Sequence, residues 1–241
     1  GKGEGFIFLV ATISLVAVAL GVAALIIVMS VMNGFRAELF DKIVGLNGHA
    51  VVQGYGGRLA DWREVLKDVR ATPGVTEASP LIEQPLLATH EGRVEAILAR
   101  GMEVRDILEN PTLKGKTLAG DMKLLRPGSE RVAIGSRLAQ NLGARLGQRL
   151  TIINPAGRTT PFGTVPREIS YEIAAIFEVG VYDYDKAFVI MPIEDAQILM
   201  LMGDQIGMIE LTTTDPDKVN DILAPLQPKI ADKAVIVDWK S

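Results

Sequence analysis

Apolar residues are spread unevenly along this chain of 241 residues. From Gly5 to Phe35 no position is charged and none is histidine or proline, and Phe6–Val31 holds 16 Phe, Ile, Leu or Val residues. A helix of such length would extend roughly 46 Å, against ~30 Å for the hydrocarbon core of a bilayer. The pattern predicts a membrane helix with an extension over residues 1–47. Phe35, Leu39 and Ile43 recur every four residues with charges between them, so the helix is expected to continue past the apolar run. A cleaved secretory signal would have an apolar region of only ~7–15 residues followed by a small-residue cleavage site, and the sequence has neither. Ser14, Ala17, Gly21 and Ala24 form a stripe of small residues, the kind of surface that admits another helix at close range. The chain opens on Gly rather than Met, so preceding residues are expected. Lys2, Arg36 and Lys42 leave the membrane orientation open.

Beyond residue 47 the periodicity changes, and residues 48–241 read as one soluble domain of the α+β class. Strands are predicted at His49–Gln53, Val75–Leu87, Arg93–Arg100, Arg149–Asn154, Ser170–Glu178, Lys186–Met191, Gly207–Thr213 and Ala234–Trp239. Helices are predicted at Ala60–Ala71, with Trp62, Val65, Leu66 and Val69 on its apolar side, at Pro192–Met202 and at Asp217–Leu226. The distribution suggests an α/β lobe built from 48–120 and 192–241, with a β-rich lobe, 121–191, inserted in it. If the first strand pairs with the C-terminal strand–helix–strand unit, both ends of the domain lie together, as suits a domain placed between two membrane helices. The last strand runs out at Asp238-Trp-Lys-Ser241, where a further span is expected to follow.

Composition narrows the chemistry. With 48% hydrophobic residues and a net charge of −4, the chain is neither disordered nor the basic surface that a nucleic acid requires. It has no cysteine, which excludes disulfides, thiol catalysis and Cys-ligated metals, and its two histidines, His49 and His90, are far apart. There is no G-x-x-x-x-G-K-[ST], H-E-x-x-H or G-x-S-x-G, and Gly54-Tyr-Gly-Gly57 reads as a turn. Asp183 and Asp185, alternating with Tyr182 and Tyr184, read as a polar hairpin turn, and His90 as a turn residue. No active site, metal or cofactor is expected in this chain.

The unusual segment is Pro155-Ala-Gly-Arg-Thr-Thr-Pro-Phe-Gly-Thr-Val-Pro166, with three prolines and two glycines in twelve residues. It reads as a long, stiff loop between two strands, because prolines fix φ and reduce the freedom of an open loop. Pro161-Phe162-Gly163 is the expected turn at its tip. Phe162 is either exposed for a partner or folded back on the domain; Arg158 and Arg167 flank it.

Ser30-Val-Met-Asn-Gly-Phe35, within Gly21–Leu39, resembles the end of the first membrane helix of lipoprotein-releasing permeases of the LolC/LolE type, and Ile43-Val-Gly-Leu-Asn-Gly-His49 fits as well. Thr160-Pro-Phe-Gly-Thr-Val-Pro166 resembles the hook by which LolC-like subunits, but not LolE-like ones, hold a periplasmic lipoprotein chaperone. The resemblance implies a subunit in the bacterial inner membrane, with a MacB-like periplasmic core between its first two spans. It implies four partners: a cytoplasmic ATPase subunit that binds the ATP and Mg, a second permease subunit or a second copy of this chain, the chaperone, and triacylated lipoprotein cargo. Transferred residue by residue, the hook is Thr160, Pro161, Phe162, Gly163 and Pro166, with Phe162 where an apolar tip residue, often Met, is usual. A neighbouring contact pad maps to Arg158, Arg167 and Glu168, with Ile169 where an Arg is expected. Val28, Met29 and Met32 are the corresponding lipid-contact positions, which could equally pack against another helix. Two other classes stay open: a mechanotransmitting permease for a different cargo, and a single-span anchored binding protein.

Overall fold

The computed structural model describes residues 13–30, 48–161 and 163–238, and the chain divides into two compact units, Gly1–Val44 and Gly45–Ser241. In the first, helix α1 (Ile13–Ser30) has a mean hydropathy of 2.7 and none of it is buried, so it is long and apolar enough to cross a membrane. Ser14, Ala17, Gly21 and Ala24 lie on α1, all exposed, as do Val28 and Met29. Met32 and the expected continuation through Phe35, Leu39 and Ile43 lie outside the described residues.

The second unit runs, in chain order, β1 (Ala50–Gly54), α2 (Trp62–Arg70), β2 (Val75–His90), β3 (Arg93–Met102), α3 (Val104–Glu109), β4 (Thr117–Gly120), β5 (Arg131–Gly135), α4 (Ser136–Leu142), β6 (Arg149–Thr160), β7 (Gly163–Phe177), α5 (Tyr182–Ala187), β8 (Phe188–Pro192), α6 (Ile193–Leu199), β9 (Met208–Thr213), α7 (Val219–Leu223), α8 (Gln227–Ile230) and β10 (Ala234–Asp238). Among the described residues these strands form a ten-stranded sheet. One end is open, in the order β10-β1-β9-β2 with every neighbour antiparallel. Its units β1-α2-β2 and β9-α7-β10 interleave as a split βαβ arrangement. Ala50 sits opposite Asp238, so the two ends of the domain are adjacent.

The other end closes on itself. β2 pairs β3, β3 pairs β8, β8 pairs β5, β5 pairs β7, β7 pairs β6, and β6 returns to β2 through Leu87–Thr89. The mixed α/β class expected from the sequence is thus the observed one. Strand β2 belongs to both parts: Val75–Leu81 pairs β9, and Leu81–His90 pairs β3.

The core follows the sequence pattern. Trp62, Val65, Leu66 and Val69 of α2 are buried, the face its periodicity marks, and Trp62 Nε1 donates to the Asp204 carbonyl at 2.9 Å. β8 is buried at all five positions, as a continuous apolar run in the middle of a sheet requires.

Three expectations need correction. Tyr182–Ala187 is a helix, not a hairpin turn: Asp185, 1% exposed, accepts the Val179 and Gly180 N–H groups at 2.8 and 3.0 Å, which folds the chain into α5. His90 is the last residue of β2 rather than part of a turn; it is buried, and its Nδ1 donates to the Arg149 carbonyl at 2.8 Å. The predicted helix Asp217–Leu226 is broken into a 3-10 turn at Pro216–Lys218 and the five-residue α7, since Asp215 caps the turn through the Asp217 N–H at 3.0 Å.

Candidate functional site: the β6–β7 arm

The segment expected to be a twelve-residue loop is mostly paired strand. After Asn154↔Arg167 the ladder resumes with Arg158↔Val165, Thr159↔Thr164 and Thr160↔Gly163, leaving a connection of only Pro161 and Phe162. The threonines and Val165 favour extended backbone and carry the ladder outward. The prolines fall where no ladder donor is needed: Pro155 and Pro166 lie within an irregularity, and Pro161 is at the tip. Gly163 has φ +120, a backbone state that suits glycine. The result is a projecting β-ribbon.

Along the arm, Pro161, Gly163, Thr164 and Pro166 are exposed, and Val165 keeps 55% of its surface. Phe162 lies outside the described residues; Arg158 and Thr160 are placed by their backbone register alone. Arg167 and Glu168 are consecutive in β7, so they face opposite sides of the ribbon, Arg167 half-buried and Glu168 exposed. The structure therefore does not bring these two pad positions together. On the Glu168 side the sheet continues as two cross-strand rows, Glu168–Ile153–Leu87–Ala96 and Ser170–Thr151–Thr89–Val94. Glu168 carries the only charge in these two rows, and Leu87 and Val94 are exposed.

Sequence reasoning missed the residues that shape the base of the arm. Asn154 is 4% exposed; its Oδ1 accepts the Ala156 N–H at 3.0 Å, and its Nδ2 donates to the Leu199 carbonyl at 3.3 Å. A Cβ at Gly157 would lie 1.9 Å from the Val165 carbonyl oxygen, so the strands cross there without room for a side chain. The dipeptide Asn154-Pro155, a turn initiator, is the signal that could have revealed this.

Elsewhere, Arg100 (1% exposed) lies between Glu83 and Glu210, at 3.0 Å from each. Burial pushes the Glu83 carboxyl above its ordinary value, with Arg100 opposing and Glu210 adding to the rise. Among the described residues, no cluster of three or more His, Asp or Glu could hold a metal ion.

The decisive comparison is with a family defined by the MacB-like periplasmic core domain, which matches residues 11–229. The chain belongs to that family. As a MacB-like periplasmic core protein it aligns with the lipoprotein-releasing system transmembrane protein LolC of Neisseria meningitidis serogroup B, at 32% identity over 99% of this chain and 58% of that protein. The LolC protein of Xylella fastidiosa is 30% identical over 99% of this chain and 57% of its own length. The LolC/LolE-type resemblance read from short motifs therefore holds along nearly the whole chain, which spans a little over half the length of these curated relatives. In fold, the MacB-like core is similar to the extracellular domain of the noncanonic ABC-type transporter YknZ from Gram-positive bacteria. That match has a TM-score of 0.50 and 10% identity, and covers 78% of this chain and 97% of that one.

Proposed function

We propose that the chain is part of the membrane subunit of an ABC transporter that extracts lipoproteins from the bacterial inner membrane and hands them to a periplasmic chaperone. The carrying observation is the β6–β7 arm: paired out to Thr160↔Gly163, with exposed Pro161 at its end and an exposed apolar residue, Val165, on its flank. A stiff projecting ribbon with an apolar tip suits the capture of an apolar site on another protein, because little ordering remains to be done on binding. Past Glu168, the uncharged remainder of the two rows, with Ile153 and Leu87 in one and Val94 in the other, extends that surface and offers the captured protein a second, flatter contact. α1 anchors the subunit, with Val28, Met29 and Met32 toward lipid or cargo and the Ser14–Ala24 stripe toward a neighbouring helix of a second permease subunit. ATP hydrolysis belongs to a separate cytoplasmic subunit. This assignment is supported by the similarity to LolC proteins together with the arm.

The test is binding of the purified lipoprotein chaperone to the chain in nanodiscs, for wild type and Phe162→Glu. Binding that is lost in the variant, with unchanged melting, supports the reading. Equal binding by both would remove the arm from the function. No binding by either would favour a mechanotransmitting permease for another cargo.

A further inference from the structure

The arm does not leave the domain as a straight ribbon. Between the registered pairs Asn154↔Arg167 and Arg158↔Val165, three residues of β6, Pro155, Ala156 and Gly157, stand against the single Pro166 of β7. Both strands carry a proline at this point, and a proline donates nothing to a ladder. Extra residues in one strand bend it and raise its twist. With nothing else to hold it, the outer ribbon, 158–160 paired with 163–165, would swing on this bend.

Asn154 supplies the constraint from both ends of its amide. Its Oδ1 takes the Ala156 N–H, closing a turn around Pro155, and its Nδ2 reaches the carbonyl of Leu199, 45 residues away in the chain. Leu199 ends α6, and α6 is itself fixed. It packs on β3 so closely that a Cβ on Gly101 would lie 2.3 Å from the Ala196 methyl, and Asp195 accepts the Gly128 N–H at 2.8 Å. On the far side of the bend, Gly157 is backed directly against the Val165 carbonyl.

We infer that Asn154 is the positioning residue of the arm: it ties the proline bend of β6 to the end of α6 and so sets the direction in which the ribbon presents its tip. This rests on the reading above, in which the arm captures a partner. A residue that only held the fold together would change melting. A positioning residue changes where the tip points.

The chain has no cysteine, so Thr164→Cys and Lys123→Cys, both at exposed positions, can carry nitroxide labels. Electron–electron double resonance on the whole chain in nanodiscs then reads the distance from arm to body. Wild type should give one narrow distance, Asn154→Ala a broader distribution, and Gly157→Ala a displaced one. If directions competent for capture fall to about a tenth, chaperone affinity falls about tenfold, whereas Phe162→Glu removes it altogether. A broad wild-type distribution overturns the inference, and so do unchanged distances in both variants. Should Asn154→Ala not fold, the wild-type width and Gly157→Ala decide. Altered distances with unchanged chaperone binding would keep Asn154 as the positioning residue and remove the capture reading. Unaltered distances with binding lost only in Phe162→Glu would do the reverse.

Discussion

Glu210 receives the Gly48 N–H at 2.9 Å on the same carboxylate oxygen that meets Arg100 Nη2 at 3.0 Å. Gly48 immediately precedes His49 and β1, so the start of the domain is fastened to β9 by a side chain that a buried guanidinium neutralises. Gly48 has no room for a side chain: a Cβ would lie 2.5 Å from the Leu211 carbonyl. Asn47-Gly48-His49, which belongs to one of the resembling motifs, thus has a local steric reason at its glycine.

Replacing Arg100 by Met should destabilise the chain by about 3 kcal/mol near neutral pH, because it leaves the half-buried Glu83 and Glu210 without their counter-charge. The sign with pH is defined. Glu83 already titrates above its ordinary value in the folded state, and losing Arg100 raises it further. The folded state then binds more protons than the unfolded one, so stability falls as pH rises through the interval between the two values. Melting of wild type and Arg100→Met at pH 5 and pH 8 checks this: the gap between them should be smaller at pH 5.

His49 should respond in the opposite direction. Burial pulls its imidazole below the ordinary value, and Nδ1 accepts the Thr213 N–H at 2.9 Å, which needs that nitrogen unprotonated. From about pH 6.5 downward the unfolded chain takes up the proton first, so stability is lost as pH falls. His49→Asn keeps an acceptor near the Nδ1 position and should remove this component. Melting curves from pH 7.5 to 5 should show the variant losing less than wild type, and parallel curves would contradict the assignment.

Asp185→Ala should cost about 2–3 kcal/mol, since it strips the acceptors from the Val179 and Gly180 N–H groups. Asp185→Asn keeps one carbonyl oxygen and should lose less. Denaturant unfolding of both variants gives the comparison, and equal losses would mean that packing, not acceptor loss, dominates.

Gly101→Ala should cost about 1–3 kcal/mol by overpacking β3 against α6. Because the obstacle is the Ala196 methyl, Ala196→Gly in the same chain should recover most of the loss. A double-mutant cycle measures the coupling, and strict additivity would show that the clash is relieved elsewhere.

Much of this architecture is written in short-range pattern. The face of α2, the strands near both ends of the domain and the tip turn at Pro161 follow from periodicity and turn chemistry. What stayed hidden depends on partners distant in the chain. Three prolines in twelve residues look like a loop until the register shows two of them at a bend and one at the tip. Asp185 and Asp183 look like a turn for a different reason: the N–H groups that Asp185 caps are only five and six residues back, but no periodic pattern marks them. Glu210 is the single charge of β9 and Arg100 interrupts the apolar second half of β3, a signal in principle, but their pairing depends on β2 lying between β3 and β9. The tie made by Asn154 has no local mark because its partner, Leu199, belongs to a helix two strands later.

β2 has a mechanical consequence. At about 3.3 Å per residue its 16 residues form a spar roughly 50 Å long, with β9 fastened to one half of an edge and β6 to the other half of that same edge. Between these attachments, at Ile82–Leu86, β2 could flex, but β3 runs unbroken along its opposite edge from Leu81 to His90 and splints that stretch. Bending there would strip paired backbone groups on the β3 side. A twist applied where the chain enters and leaves the open sheet, at Ala50 and Asp238, is therefore carried through the spar to the closed strands and the base of the arm instead of being absorbed midway.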